Sequence, residues 1–126
     1  MDGDTRQALS KDTLIDITTT GRKSGEPRRI EIMFTYDGEN TYITGRPGRR
    51  SWYANLVANP TFTLHLKQSL QRDLAAVAHP IRDEAARRAF FARVQERWPA
   101  SQGEFEIEKW MTRSPLVRVE FTGPVR

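Results

Sequence analysis

Cysteine is absent from the 126 residues. Disulfides, thiolate metal sites and cysteine nucleophiles are therefore excluded. Histidine occurs twice, at His65 and His79, which is too few for a histidine cage, so no metal centre is expected. No run approaches the roughly 18 apolar residues that a membrane span needs. The opening Met1-Asp2-Gly3-Asp4-Thr5 is acidic and polar, the reverse of a signal peptide, which points to the cytoplasm. Paired carboxylates and nucleophile triads are also missing, so no side chain stands out as catalytic. Asp16 and Glu31 read as rim charges on strands. His65 alternates outward from Phe62, Leu64 and Leu66 and is expected at the surface or rim.

What is present is a soluble composition, 37% hydrophobic and 29% charged, with room for one domain over residues 1–126. Residues 1–12 read as a flexible or helical arm. The net charge is +4, a balance that favours anionic ligands. Its placement narrows the choice. Arg22, Lys23, Arg28 and Arg29 cluster in one glycine- and proline-rich stretch, and Arg46, Arg49 and Arg50 in another. The arginines from Arg82 to Arg97 are mixed with acids and read as a solvated helix face. Aromatics are not interleaved with the basic clusters, so a nucleic-acid partner is not expected.

The patterning suggests an antiparallel α+β fold. Leu14 to Thr20 is rich in β-branched residues and ends at glycine, a strand signal. Arg29 to Tyr36 alternates with period two, as do Thr61 to Leu66 and Leu116 to Phe121. Asp37-Gly38-Glu39-Asn40 reads as a hairpin turn into Thr41 to Thr44. Leu70 to His79 is the expected partner of the Thr61 strand. Ser51 is placed to cap a helix that Asn59-Pro60 stops. Asp83 starts a longer helix in which Ala86, Phe90, Val94 and Trp98 recur every four residues. About six hairpin-connected strands with two or three helices suit a small antiparallel barrel, whose full or partial closure would remove exposed edges.

Two features carry chemistry. Gly21-Arg22-Lys23-Ser24-Gly25 is a basic turn between strands, where glycines permit close backbone approach and N–H groups can nest an anion. It lacks P-loop spacing and precedes a strand, not a helix. On residues alone it is equally a solvated hairpin turn. Gly45 to Trp52 follows a strand and ends at a helix N-terminus, which also attracts anions. If both lie on one side of the barrel they form one basic cleft. Trp52 is expected to pack in the core.

The run Thr18-Thr19-Thr20-Gly21-Arg22-Lys23-Ser24-Gly25-Glu26-Pro27-Arg28 resembles the signature of the deazaflavin-dependent nitroreductase family. So does Trp52-Tyr53-Ala54-Asn55-Leu56-Val57-Ala58-Asn59-Pro60. The order of the two motifs also matches, and the resemblance runs from about Leu14 to Phe121. It implies a split β-barrel similar to flavin-mononucleotide-binding oxidoreductases, coenzyme F420 as cofactor and hydride transfer to a small quinone, enone or nitro compound. It implies that Arg22, Lys23, Ser24 and Arg28 hold the cofactor's phosphate and acidic tail. Ile32 and Met33 would face the ring, partly through backbone groups, Arg46, Arg49, Arg50 and Ser51 would close over the phosphate or ring side, and Trp52 and Asn55 would brace them. The same fold with flavin mononucleotide, or a non-enzymatic flavin or tetrapyrrole carrier, stands as the alternative. Either a monomer or a homodimer is compatible with the sequence.

Overall fold

The computed structural model describes residues 1–124. Helix α1 (Gly3–Lys11) leads into strands β1 (Leu14–Thr20) and β2 (Pro27–Met33). Strands β3 (Thr35–Tyr36) and β4 (Thr41–Thr44) precede helix α2 (Ser51–Ala58). Strands β5 (Thr61–Leu66) and β6 (Arg72–Pro80) come next, then helices α3 (Glu84–Glu96) and α4 (Ile107–Arg113), and strand β7 (Leu116–Pro124) closes the order. A single 3₁₀ turn, Ala100–Gln102, lies between α3 and α4.

All seven strands join one antiparallel sheet in the order β2-β1-β5-β6-β7-β4-β3. The sheet curls into a half-barrel around Ile15, Ile17, Ile43, Leu64, Ala76 and Val117, all inaccessible to solvent. Helix α1 adds Ala8 and Leu9 to this core, and α2 adds Trp52 and Leu56. A second apolar cluster sits beside it, where Phe90 and Phe91 of α3 pack against Phe105, Trp110, Met111 and Leu116. Phe105 and Trp110 stack with centroids 4.7 Å apart.

The antiparallel α+β barrel expectation is met, with closure partial and two differences of count. The Arg29–Tyr36 alternation is not one strand, because pairing with β1 ends at Met33 and a new pairing with β4 starts at Thr35. Phe34 sits between them, so the described residues form seven strands against the expected six or so. Four α-helices form rather than two or three, because α1 and the short α4 both complete. The sheet does not close by hydrogen bonds: β2 and β3 remain its two edges. Strand β2 is exposed at every residue but Ile32.

Some side chains fall differently from the sequence reading. His65 is buried, 6% exposed, not a rim residue. Its strand lies between β1 and β6, so its ring is flanked by both neighbours. Nε2 lies 2.7 Å from the Thr18 hydroxyl and Nδ1 2.7 Å from the Asp73 carboxylate. Ser51 does not cap α2; Arg50 holds that position in extended conformation without a side-chain bond. In α3 the buried stripe passes through Arg87, not Ala86, and Asp83 caps the helix as expected by accepting from the Ala86 N–H.

On the outer face, Asp16 accepts from Lys67 and from Arg29, and Lys67 also reaches Glu31. The Lys67 hydrogen bond, at 2.7 Å, holds the Asp16 carboxyl below the ordinary aspartate range. It outweighs partial burial, which pushes the other way, and Arg29 adds to the lowering. The folded chain thus binds this proton more weakly than the unfolded chain. The stabilisation is full above the unfolded value of about 3.9 and is lost as pH falls through the lower folded value. Asp16→Asn is expected to flatten the acid limb of a urea-midpoint-versus-pH curve below about pH 4 and leave its slope at neutral pH unchanged.

Candidate cofactor cleft

The β1–β2 hairpin turn is built by short contacts. The Gly21 N–H donates to the Glu26 carbonyl at 2.8 Å, and the Gly25 N–H to the Gly21 carbonyl at 2.9 Å. The Glu26 N–H donates to the Ser24 hydroxyl at 3.1 Å. Gly25 has φ +70°, which favours glycine. A Cβ at Gly21 would lie 2.5 Å from the Ser24 hydroxyl oxygen and 3.3 Å from the Glu26 carbonyl, so a larger residue would displace the Ser24 side chain from its place in the turn. Helix α2 then holds the turn from beneath. The Arg22 N–H donates to the Asn55 side-chain oxygen at 3.0 Å, and Asn55 Nδ2 donates to the Thr19 hydroxyl at 3.2 Å.

Strand parity decides which side chains reach inward. Ile15, Ile17 and Thr19 of β1 are buried, and their cross-strand partners are Ile32, Ile30 and Arg28. Arg28 and Ile30 therefore extend the inward face past Thr19 toward α2. The result is a cleft of about 580 Å³ lined by Thr19, Gly21, Arg22, Lys23, Ser24, Arg28, Ile30, Ser51, Trp52 and Asn55. Trp52 is both core and cleft wall, 7% exposed. The start of α2 carries no side-chain cap, so its first N–H groups offer further donors to an anion.

A second, larger cleft of about 1080 Å³ lies between α2, α3 and α4. Arg49 and Arg50 line it, and Arg22 and Ser51 line both clefts. The two basic turns thus meet at the N-terminus of α2, as two adjoining hollows rather than one.

A family model described as F420H(2)-dependent quinone reductase matches residues 1–120. The chain belongs to that family. It is accordingly an F420-dependent reductase, with coenzyme F420 as its cofactor. Solved structures share the fold. A putative pyridoxamine 5'-phosphate oxidase from Listeria innocua has a TM-score of 0.73 at 13% identity, covering 97% of this chain and 94% of that one. An F420-H2 dependent reductase has a TM-score of 0.59 at 24% identity, covering 86% and 94%. A structure described as an F420 reductase has a TM-score of 0.63 at 21% identity, covering 95% and 94%.

The residues present fit the family's cofactor. Coenzyme F420 carries a phosphodiester and an acidic tail. Among the described residues, Arg22, Lys23 and Arg28 have no carboxylate within 4.0 Å. Cations left unpaired around one hollow, while Arg29, Lys67, Arg72, Arg88 and Lys109 pair elsewhere, suit a polyanion. A Ser24 hydroxyl and Asn55 add neutral polar groups.

The structure brings some of the expected residues to these two hollows and places others elsewhere. Arg46 lines neither cleft: its guanidinium donates to Gln102 and sits 4.9 Å from the Trp98 ring centroid, tying its loop to the α3–α4 connection. Ile32 is half-buried against the barrel core, and Met33 is 66% exposed on the opposite face. Ile30 lines the cleft instead. The period-two pattern already sets Ile30 on the same face as Ile32, two residues nearer the turn.

Asn55 joins the turn to α2 through two bonds at once. Asn55→Ala is expected to lower stability by about 1–2 kcal/mol, since it strands the Arg22 N–H and removes the Thr19 contact. It should also weaken cofactor binding severalfold, as fluorescence titration of the folded variant would record.

Proposed function

We propose that the chain transfers a hydride from reduced coenzyme F420 to a small quinone, enone or nitro-type acceptor, with the phosphodiester and acidic tail held in the hairpin-turn cleft. The observation that carries the reading is the set of unpaired cations, Arg22, Lys23 and Arg28, around a glycine turn that α2 holds in place through Asn55. When bound, the cofactor supplies the hydride. Lys23 and Arg28 bind its anionic groups, and Ser24 with the free N–H groups at the start of α2 adds donors. Ile30 and Trp52 give the ring an apolar wall and exclude water from one side. No protein group takes or gives a proton in this reading; the side chains bind and orient.

Titration of the purified protein with oxidised F420 and with flavin mononucleotide, followed by fluorescence, tests it. Micromolar or tighter binding of F420, with turnover of menadione under F420H2, is the expected result. Absence of F420 binding at micromolar protein refutes the reading. Binding without turnover of any quinone, enone or nitro compound would favour a carrier instead.

A further inference from the structure

The cleft between α2, α3 and α4 is distinct from the turn cleft and carries an unusual charge. Seven arginines and two glutamates line it, so its excess of positive charge exceeds the +4 of the whole chain. The two glutamates are already engaged: Glu108 pairs with Arg88 at 3.0 Å, and Glu84 lies 4.0 Å from the same guanidinium. Among the described residues, Arg22, Arg49, Arg82 and Arg113 have no carboxylate within 4.0 Å. Deeper in the wall, Arg87 is 9% exposed and its guanidinium is engaged by four backbone carbonyls. The buried Ser114 hydroxyl in the same wall has no hydrogen-bond partner. Between these groups the surface is apolar, with Tyr53, Met111 and Pro115.

Like charges around one hollow repel and are stabilised by an anion. A neutral quinone would use the apolar patch and leave the guanidinium groups facing one another. We propose that this cleft is the acceptor site and that it selects acceptors bearing a carboxylate on a flat apolar body. The proposal rests on the F420 reading, since the cleft adjoins the cofactor cleft through Arg22 and Ser51. The redox balance is ordinary: F420H2 gives up two electrons and two hydrogens, one as hydride to the acceptor carbon and one as a proton through solvent. The acceptor leaves as its dihydro form and the cofactor as F420. Arg82 and Arg113 hold the carboxylate, and the Tyr53–Met111 side holds the ring.

The test uses the Arg82→Gln/Arg113→Gln double variant, whose two arginines are unpaired and dispensable to the ion pairs. Three quantities are measured: binding of 2-naphthoate to cofactor-free protein by tryptophan quenching, the Kd of F420, and the KM values of menadione and of a carboxylated naphthoquinone. Naphthoate affinity is expected to fall about tenfold with F420 affinity within twofold of the parent. The KM of the carboxylated quinone should rise about tenfold relative to that of menadione, with kcat preserved. F420 affinity falling in step with naphthoate would overturn the proposal, because the cleft would then hold the cofactor's own tail. Unchanged naphthoate binding would also overturn it. Arginine-dependent naphthoate binding in a protein that binds no F420 would refute the cofactor reading and leave the anion site standing.

Discussion

Replacing Lys23 and Arg28 together by alanine is expected to weaken binding of oxidised F420 by about 100-fold at low salt. Each cation contributes one charge-assisted contact to an anionic group, worth about 1–1.5 kcal/mol at a half-open site, and 2.7 kcal/mol is a factor of about 100. Salt separates this from a packing effect. The parent's affinity should decline as ionic strength rises, since exposed charges are screened beyond about 8–10 Å. The double variant should show a shallower dependence. Folding should be unaffected, because neither side chain pairs with a carboxylate among the described residues. Flavin mononucleotide has a phosphate and no acidic tail, so its affinity should fall less than that of F420. Equal affinity of parent and variant for F420 would remove both residues from the site. Ser24→Ala should have the smaller effect, since its hydroxyl can offer one neutral O–H while accepting from the Glu26 N–H, against a full charge from each cation.

Much of this site was legible in the sequence. The turn from Gly21 to Gly25 carries its meaning in residue type, because tight reversal demands glycine and cations next to it demand an anion or solvent. The strands were legible because period two is a local property. Matters of neighbourhood are not local properties. Whether an inward residue faces a cleft or the barrel core depends on distance along the strand from the turn, which is why Ile30 lines the cleft and Ile32 packs below it. Met33 has the wrong parity for either. Alternation puts His65 on the outer face of its strand and says nothing of what covers that face. Thr18 and Asp73, from strands on either side, cover it. Arg46 belonged to a basic cluster by sequence and was drawn away by a tryptophan 52 positions later. Only the distance between Arg46 and Gln102 along the chain hid that contact, since neither residue has a local partner that signals it.

Arg87 is the largest departure from the sequence reading, which placed it on a solvated helix face, and its removal is expected to destabilise the fold most. The guanidinium lies 9% exposed under α4. It donates to four backbone carbonyls: Ser114 at 2.7 Å, Ile81 at 2.9 Å, Met111 at 3.0 Å and Trp110 at 3.2 Å. Three of these belong to the end of α4, where carbonyls run short of intrahelical donors; of the three, the Trp110 carbonyl also accepts from the Ser114 N–H at 3.1 Å. Arg87 is thus the C-terminal cap of a neighbouring helix, and its charge suits the negative end of that helix dipole. Burial pulls its pKa down from the ordinary arginine value, yet arginine stays cationic in proteins. Arg87→Met keeps the apolar bulk and leaves the carbonyls behind, at about 1–3 kcal/mol for each one that water cannot reach. Relaxation at the helix end reduces the total, and about 3–5 kcal/mol is expected, a fall of roughly 10–20 °C in Tm for a chain of this size. Arg87→Lys should recover less than half, because one ammonium cannot span carbonyls from both the Ile81 side and the α4 end. Amide exchange should quicken first in α4, and with it the wall of the arginine cleft should loosen. A Tm for Arg87→Met within 2 °C of the parent would show that water replaces the guanidinium and that α4 needs no cap from α3.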